Sequence, residues 1–282
     1  VYYLWRNGRE LVQLGKSRPW IDPQRLGEAT ARSFKARDGF AIPAFVTLPP
    51  GYQPTKHGRI PLVVLPHDGP WQRDDLDWHE TGWTQFLATR GYAVVQPQYR
   101  GSIGWGHTHW KAGDRQWGLK MQDDLDDAVA WLVDDGIVDP ARVAIMGYSY
   151  GGYAAIVATQ RSNSRYRCAI AGAPISRLRS SPGDGSQYGD EAKGNTVAGV
   201  DPSNGIDKAT IPLMIFHGTN DTRVDIERSR DFQSAMTRAG KDIEYHEVKD
   251  MWHEQPWWPE WHRQTLGLIE NYLAGPKCFG AK

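Results

Sequence analysis

The chain has 282 residues, of which 40% are apolar and 23% are charged, and its 33 basic side chains balance its 33 acidic ones. A neutral chain lacks the basic surplus that displaces counterions from nucleic-acid phosphates, so we expect no nucleic-acid partner. The longest apolar runs are far shorter than the roughly 20 residues that cross a bilayer, so we expect no membrane span. The composition is typical of a globular protein with a large core.

The N-terminal residues predict a β-hairpin followed by a linker. In residues 1–14, two strand-like runs flank Asn7-Gly8, a pair that suits the two positive φ values of a type I′ turn. Residues 17–26 contain two prolines and are expected to form the linker. Because the chain begins with Val1 instead of Met and opens in the middle of a strand-like run, we expect it to be a piece of a longer protein. No charged-then-apolar leader follows Val1, so no secretory signal is visible.

The remaining sequence alternates between strand-like and helix-like patterns. After a second predicted hairpin (33–49), strands are expected at 59–65, 92–96, 142–146, 166–171, 213–216 and 243–247, and helices at 84–90, 122–134, 151–159, 228–239 and 259–273. This alternation favours an α/β fold with a mostly parallel, doubly wound sheet and helices on both faces. Residues 179–210 lack periodicity and are expected to form a long loop near the functional site.

The strongest local motif is Gly147-Tyr148-Ser149-Tyr150-Gly151, which matches Gly-x-Ser-x-Gly between a predicted strand and a predicted helix. In that context the serine sits on a sharp strand-to-helix turn, and the glycines before and after it avoid steric clashes. A plain tight turn in a glycine-rich chain would explain the pattern without chemistry. The flanking strand and helix favour Ser149 as a nucleophile.

A serine hydroxyl needs a base, and the base needs an acid that orients it. In this topology the acid and the histidine follow the serine in that order. Asp221 and His253 each lie just after a predicted strand, where doubly wound sheets place functional residues, and they are the expected acid and base. Three other histidines follow Ser149. His217 comes before Asp221 at a strand end and is expected to be a structural histidine, whereas His246 falls in a predicted strand and His262 in the last predicted helix.

The same arrangement requires N–H donors for the oxyanion that forms on the attacked carbonyl. The backbone N–H of Tyr150, at the start of the helix, is expected to be the first donor. The second is expected from the loop after the strand at 59–65. That loop offers three donors: the backbone N–H of Asp68, the backbone N–H of Gly69 and the side chain of His67.

The sequence gives little support for a metal site or for a role of its two cysteines. His107 and His109 are two candidate ligands, but no third ligand follows at a suitable spacing, so we expect no metal and no cofactor. Cys168 and Cys278 are too few for a disulfide scaffold, and their spacing alone indicates two unpaired thiols.

Four segments together form a specific pattern. They are Gly147-Tyr148-Ser149-Tyr150-Gly151-Gly152, His67-Asp68-Gly69-Pro70, Tyr99-Arg100-Gly101-Ser102-Ile103-Gly104-Trp105-Gly106 and His217-Gly218-Thr219-Asn220-Asp221. The chain from about residue 33 onward resembles the catalytic domain of the prolyl oligopeptidase family of serine peptidases, especially its acylaminoacyl-peptidase and dipeptidyl-peptidase branches. The resemblance implies an α/β-hydrolase fold in which Ser149, Asp221 and His253 are nucleophile, acid and base.

Members of that family carry a β-propeller in front of the hydrolase domain. The resemblance therefore implies that residues 1–32 are the tail of a truncated propeller and a linker, and that residues 33–282 are the catalytic domain. The missing propeller would be a partner from the same chain that filters substrates.

The resemblance also implies a substrate pocket. By position, Tyr150, Ile175, Leu178 and Val224 resemble residues that line the family's pocket for the side chain before the scissile bond. Arg223 falls where related peptidases contact a substrate carbonyl, although an exposed, solvated arginine is an equal alternative. The implied pocket is apolar and modest in size, which suits proline, alanine or a small hydrophobic residue.

A disulfide between Cys168 and Cys278 is a further implication, because dipeptidyl peptidases pair cysteines at corresponding places. A persistent disulfide would favour a periplasmic or secreted protein, whereas two free thiols would fit the cytoplasm.

The function implied is hydrolysis of peptide bonds in short peptides through an acyl-enzyme. Two alternatives stay open. One is a carboxylesterase on the same triad, because ester leaving groups demand less of the general acid. The other is a non-catalytic interaction domain that kept the fold. A homo-oligomer is also left open by the sequence.

Overall fold

An eight-stranded sheet forms the centre of the structure, a computed structural model that describes residues 1–8, 10–79, 81–162, 164–178 and 197–280. Two strands near the N-terminus, β1 (Tyr2–Arg6) and β2 (Glu10–Gly15), form a separate antiparallel hairpin. The strands of the main sheet are β3 (Glu28–Lys35), β4 (Ala41–Leu48), β5 (Ile60–Val64), β6 (Ala93–Pro97), β7 (Val138–Tyr148), β8 (Cys168–Gly172), β9 (Leu213–Gly218) and β10 (Ile243–Val248).

Helices connect most of these strands. Those in the described part of the chain are α1 (Pro54–His57), α2 (Trp83–Ala88), α3 (His107–Lys111), α4 (Lys120–Asp134), α5 (Tyr150–Thr159), α6 (Ile226–Arg238) and α7 (Pro259–Ala274). The predicted helices are all present, with ends that differ by a few residues.

The strand order in the main sheet is β10-β9-β8-β7-β5-β6-β4-β3. The five neighbouring pairs β6–β5, β5–β7, β7–β8, β8–β9 and β9–β10 are parallel. The pairs β3–β4 and β4–β6 are antiparallel. The predicted mostly parallel α/β sheet is therefore confirmed. In such a sheet the carboxyl ends of the parallel strands share one edge, which is where ligand sites form.

Both faces of the sheet are covered, because its central strands are apolar on both sides. In β5, Leu62 and Val64 pack into one hydrophobic cluster while Val63, and Leu65 just beyond the strand, pack into a second. Helices α4, α5 and α6 contribute side chains to the first cluster, and α2 and α7 to the second. Each fully buried leucine or valine contributes roughly 1.5–3 kcal/mol, so these strands are strongly held.

Two strands begin earlier than the sequence pattern predicts. β3 begins at Glu28, five residues ahead of the hairpin expected at 33–49, and Thr30 there pairs with Val46. Its first residues are small or polar, since an edge strand needs little apolar surface, so they carry no strand-like signal. β7 begins at Val138 instead of residue 142 and runs through Pro140.

The loop expected at 179–210 is only partly described, because residues 179–196 lie outside the described residues. The later part contains two short 3₁₀ turns, Pro202–Asn204 and Ile206–Lys208. Gly199 forms a bridge to Trp117, which attaches this segment to the chain ahead of α4.

The N-terminal hairpin stands apart from the main sheet. Asn7 and Gly8 have φ values of 52° and 66°, as the predicted type I′ turn requires. Trp5 is 62% exposed. The other exposed large apolar side chains of this hairpin are Val1, Tyr2, Tyr3, Leu4, Leu11 and Leu14.

A disulfide joins Cys168, at the start of β8, to Cys278, which follows α7, as the family resemblance implied. Both cysteines are fully buried, and the Arg167 guanidinium donates a hydrogen bond to the carbonyl oxygen of Cys278. The bond therefore ties the C-terminal segment to the sheet. Among the described residues, no helix combines the length and the apolar composition needed to cross a membrane.

Removing this disulfide should lower stability, because it closes a separation of 110 residues. For such a loop we expect the double variant Cys168→Ala/Cys278→Ala to lose about 2–5 kcal/mol of unfolding free energy. That loss corresponds to a melting temperature roughly 5–15 °C lower for a protein of this size. Thermal unfolding followed by circular dichroism measures it. Titration of two free thiols in the unreduced, denatured protein would contradict the pairing.

Candidate active site

The loops that follow the parallel strands carry the residues predicted for the site. Tyr148 at the end of β7 pairs with Gly172 on β8, and Gly218 on β9 pairs with Val248 on β10. These pairings make the strands end nearly level at one edge of the sheet. The turn at Ser149 and the two loops after β9 and β10 therefore begin side by side.

Ser149 occupies a tight and strained turn between β7 and α5. Its φ and ψ are 53° and −112°, which an L-residue rarely adopts outside functional sites. A Cβ on Gly147 would lie 2.4 Å from the carbonyl carbon of Gly151, and a Cβ on Gly151 would lie 2.4 Å from the carbonyl oxygen of Pro66. The Ser149 N–H donates to the carbonyl of Gly172 at 2.9 Å. Close packing thus fixes the backbone that presents the hydroxyl.

The Asp221 carboxylate is buried and accepts four hydrogen bonds. Its Oδ1 accepts the backbone N–H groups of Arg223 and Val224 at 2.9 and 2.8 Å. Its Oδ2 lies 2.7 Å from Nδ1 of His253 and 3.1 Å from Nε2 of His217. Burial on its own raises the pKa of this carboxyl, but the bonds from His217 and His253 outweigh it, so the pKa lies well below the usual range. Asp221 is therefore ionised at neutral pH.

His253 is oriented by that carboxylate. Because a carboxylate only accepts, Nδ1 of His253 must carry the proton that Asp221 binds, which leaves Nε2 as the basic nitrogen. His253 and Ser149 line the same cavity, and the His253 ring packs on Tyr148 with centroids 5.0 Å apart. Within the described part of the chain, the Ser149 hydroxyl makes no hydrogen bond to the imidazole. In free enzymes that bond often forms only around the substrate.

The loop predicted to complete the oxyanion hole is built around His67. Nε2 of this buried histidine lies 2.8 Å from the Ser102 hydroxyl, and Nδ1 lies 2.9 Å from the Tyr99 hydroxyl and 3.0 Å from the carbonyl of Asp68. Burial lowers the pKa of His67 to about 4, so the ring is neutral. Both ring nitrogens are engaged by these contacts, so the backbone N–H groups of Asp68 and Gly69 remain the candidate donors.

A buried ion pair anchors the segment that holds His67. Arg100, next to Tyr99, contacts Asp124 of α4 through Nη2 at 2.7 Å and Nε at 2.9 Å, and its backbone N–H also donates to Asp124. The same guanidinium reaches Asp38 in the β3–β4 turn at 2.9 Å. The loop after β6 is thereby fixed to α4 and, through Ser102, fixes the oxyanion loop.

A cavity of about 580 Å³ opens above Ser149. Its lining includes four residues predicted for the catalytic machinery: Ser149, His253, Asp68 and Gly69. It also includes Arg223, for which the family resemblance implies a contact with a substrate carbonyl. Most of its described lining residues come from the long connection between β5 and α2. Charged side chains are frequent around it: Asp68, Arg73, Asp74, Asp75, Asp77, Arg223 and Glu254.

The other residues predicted for a substrate pocket lie deeper in the structure. Tyr150 and Ile175 are buried in the first hydrophobic cluster, and Leu178 packs against that cluster. Val224 is also buried, and its backbone N–H and carbonyl bind Asp221 and His217. None of these four side chains is among the described residues that line the cavity, so their role in a pocket stays a prediction.

Two features of the site escaped the sequence analysis. The connection between β5 and α2 supplies Trp78 and His79 to the cavity wall. Its length after a buried strand was an available signal, since long loops at that edge are often functional. The bond between His217 and Asp221 was also missed, because His217 was considered only as a structural histidine within a strand.

One of the two histidines considered as metal ligands, His109, is engaged with the backbone instead. Nε2 of the buried His109 lies 2.9 Å from the carbonyl oxygen of Gln98. In the ranges that the structure describes, no three His, Cys, Asp or Glu side chains are grouped so as to hold a metal ion.

Comparison with known proteins identifies relatives of the chain. It is 32% identical over its full length to dipeptidyl aminopeptidase BIII of Pseudoxanthomonas mexicana, and 30% identical over 99% of its length to dipeptidyl peptidase family member 6 of Caenorhabditis elegans. It spans 43% and 42% of those two proteins. A solved acylaminoacyl peptidase of Pyrococcus horikoshii shares the fold, with a TM-score of 0.81 at 22% identity over 99% of this chain and 46% of that one.

The match to a known family covers most of the chain. Residues 78–275 match the prolyl oligopeptidase family, and this range includes Ser149, Asp221 and His253. The chain therefore belongs to the prolyl oligopeptidase family.

Proposed function

We propose that this chain is the catalytic part of a serine peptidase that hydrolyses peptide bonds of short peptides, with Ser149 as nucleophile, Asp221 as orienting acid and His253 as base. One observation carries the proposal. A serine on a strained turn lines the same cavity as a histidine whose other nitrogen is held by a buried, ionised carboxylate. The names of the two curated relatives, both dipeptidyl peptidases, support the reaction class.

In the acylation half of the reaction, the Ser149 oxygen bonds to the scissile carbonyl carbon while its proton passes to Nε2 of His253. In the resulting imidazolium, Nδ1 of His253 lies 2.7 Å from Oδ2 of Asp221, and the negative charge of that carboxylate stabilises the positive ring. His253 then gives the proton to the leaving amine as the C–N bond breaks. An ester joins the substrate's acyl group to Ser149.

In the second half, water replaces the amine. His253 takes a proton from the water as its oxygen attacks the acyl carbon, and it returns that proton to the Ser149 oxygen as the ester bond breaks. The peptide acid leaves and the protein is restored. The same groups thus serve both halves without a cofactor.

The developing oxyanion is proposed to bind the backbone N–H of Tyr150 and one from Asp68 or Gly69. The Tyr150 N–H lies at the start of α5, where the helix dipole also favours negative charge. The Asp68–Gly69 backbone is held by His67, which is fixed in turn by Ser102. Backbone donors held in this way need little reorganisation during the reaction.

The substrate is proposed to be a short peptide selected partly by a β-propeller of the same chain. The exposed apolar hairpin at the N-terminus and the 43% coverage of the first relative support a division into a propeller tail with a linker and a catalytic domain, which the sequence predicts at 1–32 and 33–282. Because β3 pairs with β4 from Glu28 onward, we propose that the catalytic domain begins at Glu28. Arg223 on the cavity wall is the proposed contact for a substrate carbonyl.

An oxidising location is proposed for the protein. The buried disulfide between Cys168 and Cys278 supports it, since such bonds persist in the periplasm or outside the cell and are rare in a reducing cytoplasm.

Replacing the nucleophile should abolish peptide hydrolysis. We expect Ser149→Ala to lower kcat/KM for a short peptide amide by at least about 10⁴-fold, because no other group can form the acyl-enzyme. Ser176→Ala is a matched control, since this buried serine is not among the described residues that line the cavity and donates its hydroxyl hydrogen to the carbonyl of Arg228. Initial rates for both variants measure the effect.

The same assay separates a peptidase from an esterase. The wild-type protein is offered a peptide amide and an aryl ester with the same acyl group, and the proposal requires turnover of both. Turnover of the ester alone would leave only an esterase, and peptidase activity retained by Ser149→Ala would contradict the assigned nucleophile.

Disturbing the oxyanion loop should lower kcat. Gly69 has a φ of 65°, and a Cβ there would lie 2.4 Å from Cγ of Gln72, so Gly69→Ala strains the backbone of the loop and must displace the Gln72 side chain beside it. We expect kcat to fall by about 10–100-fold with little change in KM, because a displaced donor binds the transition state less well.

Gly240→Ala is the control for this prediction. Gly240 follows α6 and is not among the described residues that line the cavity; it has a φ of 66° with no heavy atom within 4 Å of an added Cβ, so its variant carries the cost of a side chain at positive φ without touching the oxyanion loop. Equal kcat values for the two variants would show that the loop near Gly69 is not part of the oxyanion site.

A further inference from the structure

We propose that His217 is a positioning residue of the reaction, which shares the Asp221 carboxylate with His253 and thereby sets the orientation and proton affinity of the base. The inference rests on the proposed function, because it concerns the same triad. It assigns a role to a histidine that the mechanism above does not use.

The position of His217 fixes where its protons lie. The side chain is fully buried at the end of β9, with Nε2 3.1 Å from Oδ2 of Asp221 and 3.0 Å from the carbonyl oxygen of Val224. Both partners can only accept, so Nε2 carries a proton. Nδ1 lies 2.8 Å from the hydroxyl of Ser229 on α6, which can donate or accept. The ring is thus held from both sides.

The two imidazoles compete for one oxygen atom. Oδ2 of Asp221 faces Nε2 of His217 and Nδ1 of His253, while Oδ1 is occupied by two backbone N–H groups. Because both imidazoles donate to the same oxygen, each hydrogen bond to Oδ2 weakens the other. Without the His217 bond, Oδ2 would therefore stabilise protonated His253 more strongly, and the base would hold its proton at higher pH.

The charged groups around His217 lie on three elements. Asp221 and His253 face it from the loops after β9 and β10, and Glu247, its neighbour on β10, pairs with Arg230 of α6 at 2.8 Å. The expected effect on the base has the same sign for a neutral and for a charged His217. If the ring is neutral, its removal frees Oδ2. If it is charged, its removal takes away a positive charge near His253. Both changes favour the protonated base, which is inactive.

A purely structural histidine would behave differently. It would fill space between β9 and α6, and its loss would lower stability and leave the pH dependence of the reaction unchanged. The acid limb of the kcat/KM profile therefore distinguishes positioning from packing.

The experiment compares His217→Asn and His217→Gln in the full-length protein, with kcat/KM for a short peptide substrate measured from pH 5 to 9. Because the Asn amide falls near Nδ1, it retains the Ser229 contact and loses the one to Asp221. We expect its acid limb to move to higher pH by about 0.5–1 unit and kcat/KM on the plateau to fall about tenfold. Because the Gln amide falls near the position of Nε2, His217→Gln should restore most of the wild-type acid limb and most of the plateau kcat/KM. His246→Gln, which alters a histidine bound to Glu244, should match wild type.

An acid limb of His217→Asn that coincides with that of active wild type would overturn the role of His217 and leave the proposed function standing. An inactive wild-type protein would contradict both. If His217→Asn does not fold, Ser229→Ala provides the second test, because the freed ring should bind Asp221 less firmly. A smaller shift in the same direction supports the proposal, and an unchanged limb overturns it.

Discussion

The buried carboxylate of Asp221 is the interaction on which the site depends. A charge taken out of water is costly unless hydrogen bonds replace its solvation, and this carboxylate accepts four. Two of the donors are backbone N–H groups of the loop after β9, and two are imidazoles. Because the loop itself satisfies the carboxylate, the charge can stay beneath His253 and hold one defined tautomer of that ring.

The sheet makes this arrangement possible. Its parallel strands end at one edge, so side chains that are far apart in sequence become neighbours there. The packing of Gly147 and Gly151 forces the backbone at Ser149 into a strained conformation and leaves the hydroxyl in the cavity. On the other side of that cavity, His67 and Ser102 join the loop after β5 to the loop after β6, which Arg100 ties to α4. Close packing and buried polar contacts thus maintain the strained backbone conformation at Ser149.

Much of this architecture follows from the sequence, and the remainder depends on contacts that sequence patterns do not reveal. The central strands were predictable because burial on both faces demands apolar runs, and Ser149, Asp221 and His253 were predictable because each follows a predicted strand. The start of β3 was not predictable, because an edge strand can be built from small and polar residues such as Ala29 and Ala31, which show no strand-like apolar pattern. The bond from His217 to Asp221 appears only when the chain turns back after β9 and brings residues four apart face to face. The connection between β5 and α2, which lines the cavity, has no periodic pattern, so its length after a buried strand was the only signal in the sequence.

The most direct test of this account is a crystal structure of the protein inactivated by a small fluorophosphonate. The account predicts phosphorus bonded to Oγ of Ser149 and Nε2 of His253 within about 3.2 Å of that oxygen. It also predicts a phosphoryl oxygen within about 3.1 Å of the backbone nitrogen of Tyr150 and of Asp68 or Gly69. An adduct on another residue, or an imidazole of His253 turned away from the modified serine, would contradict it.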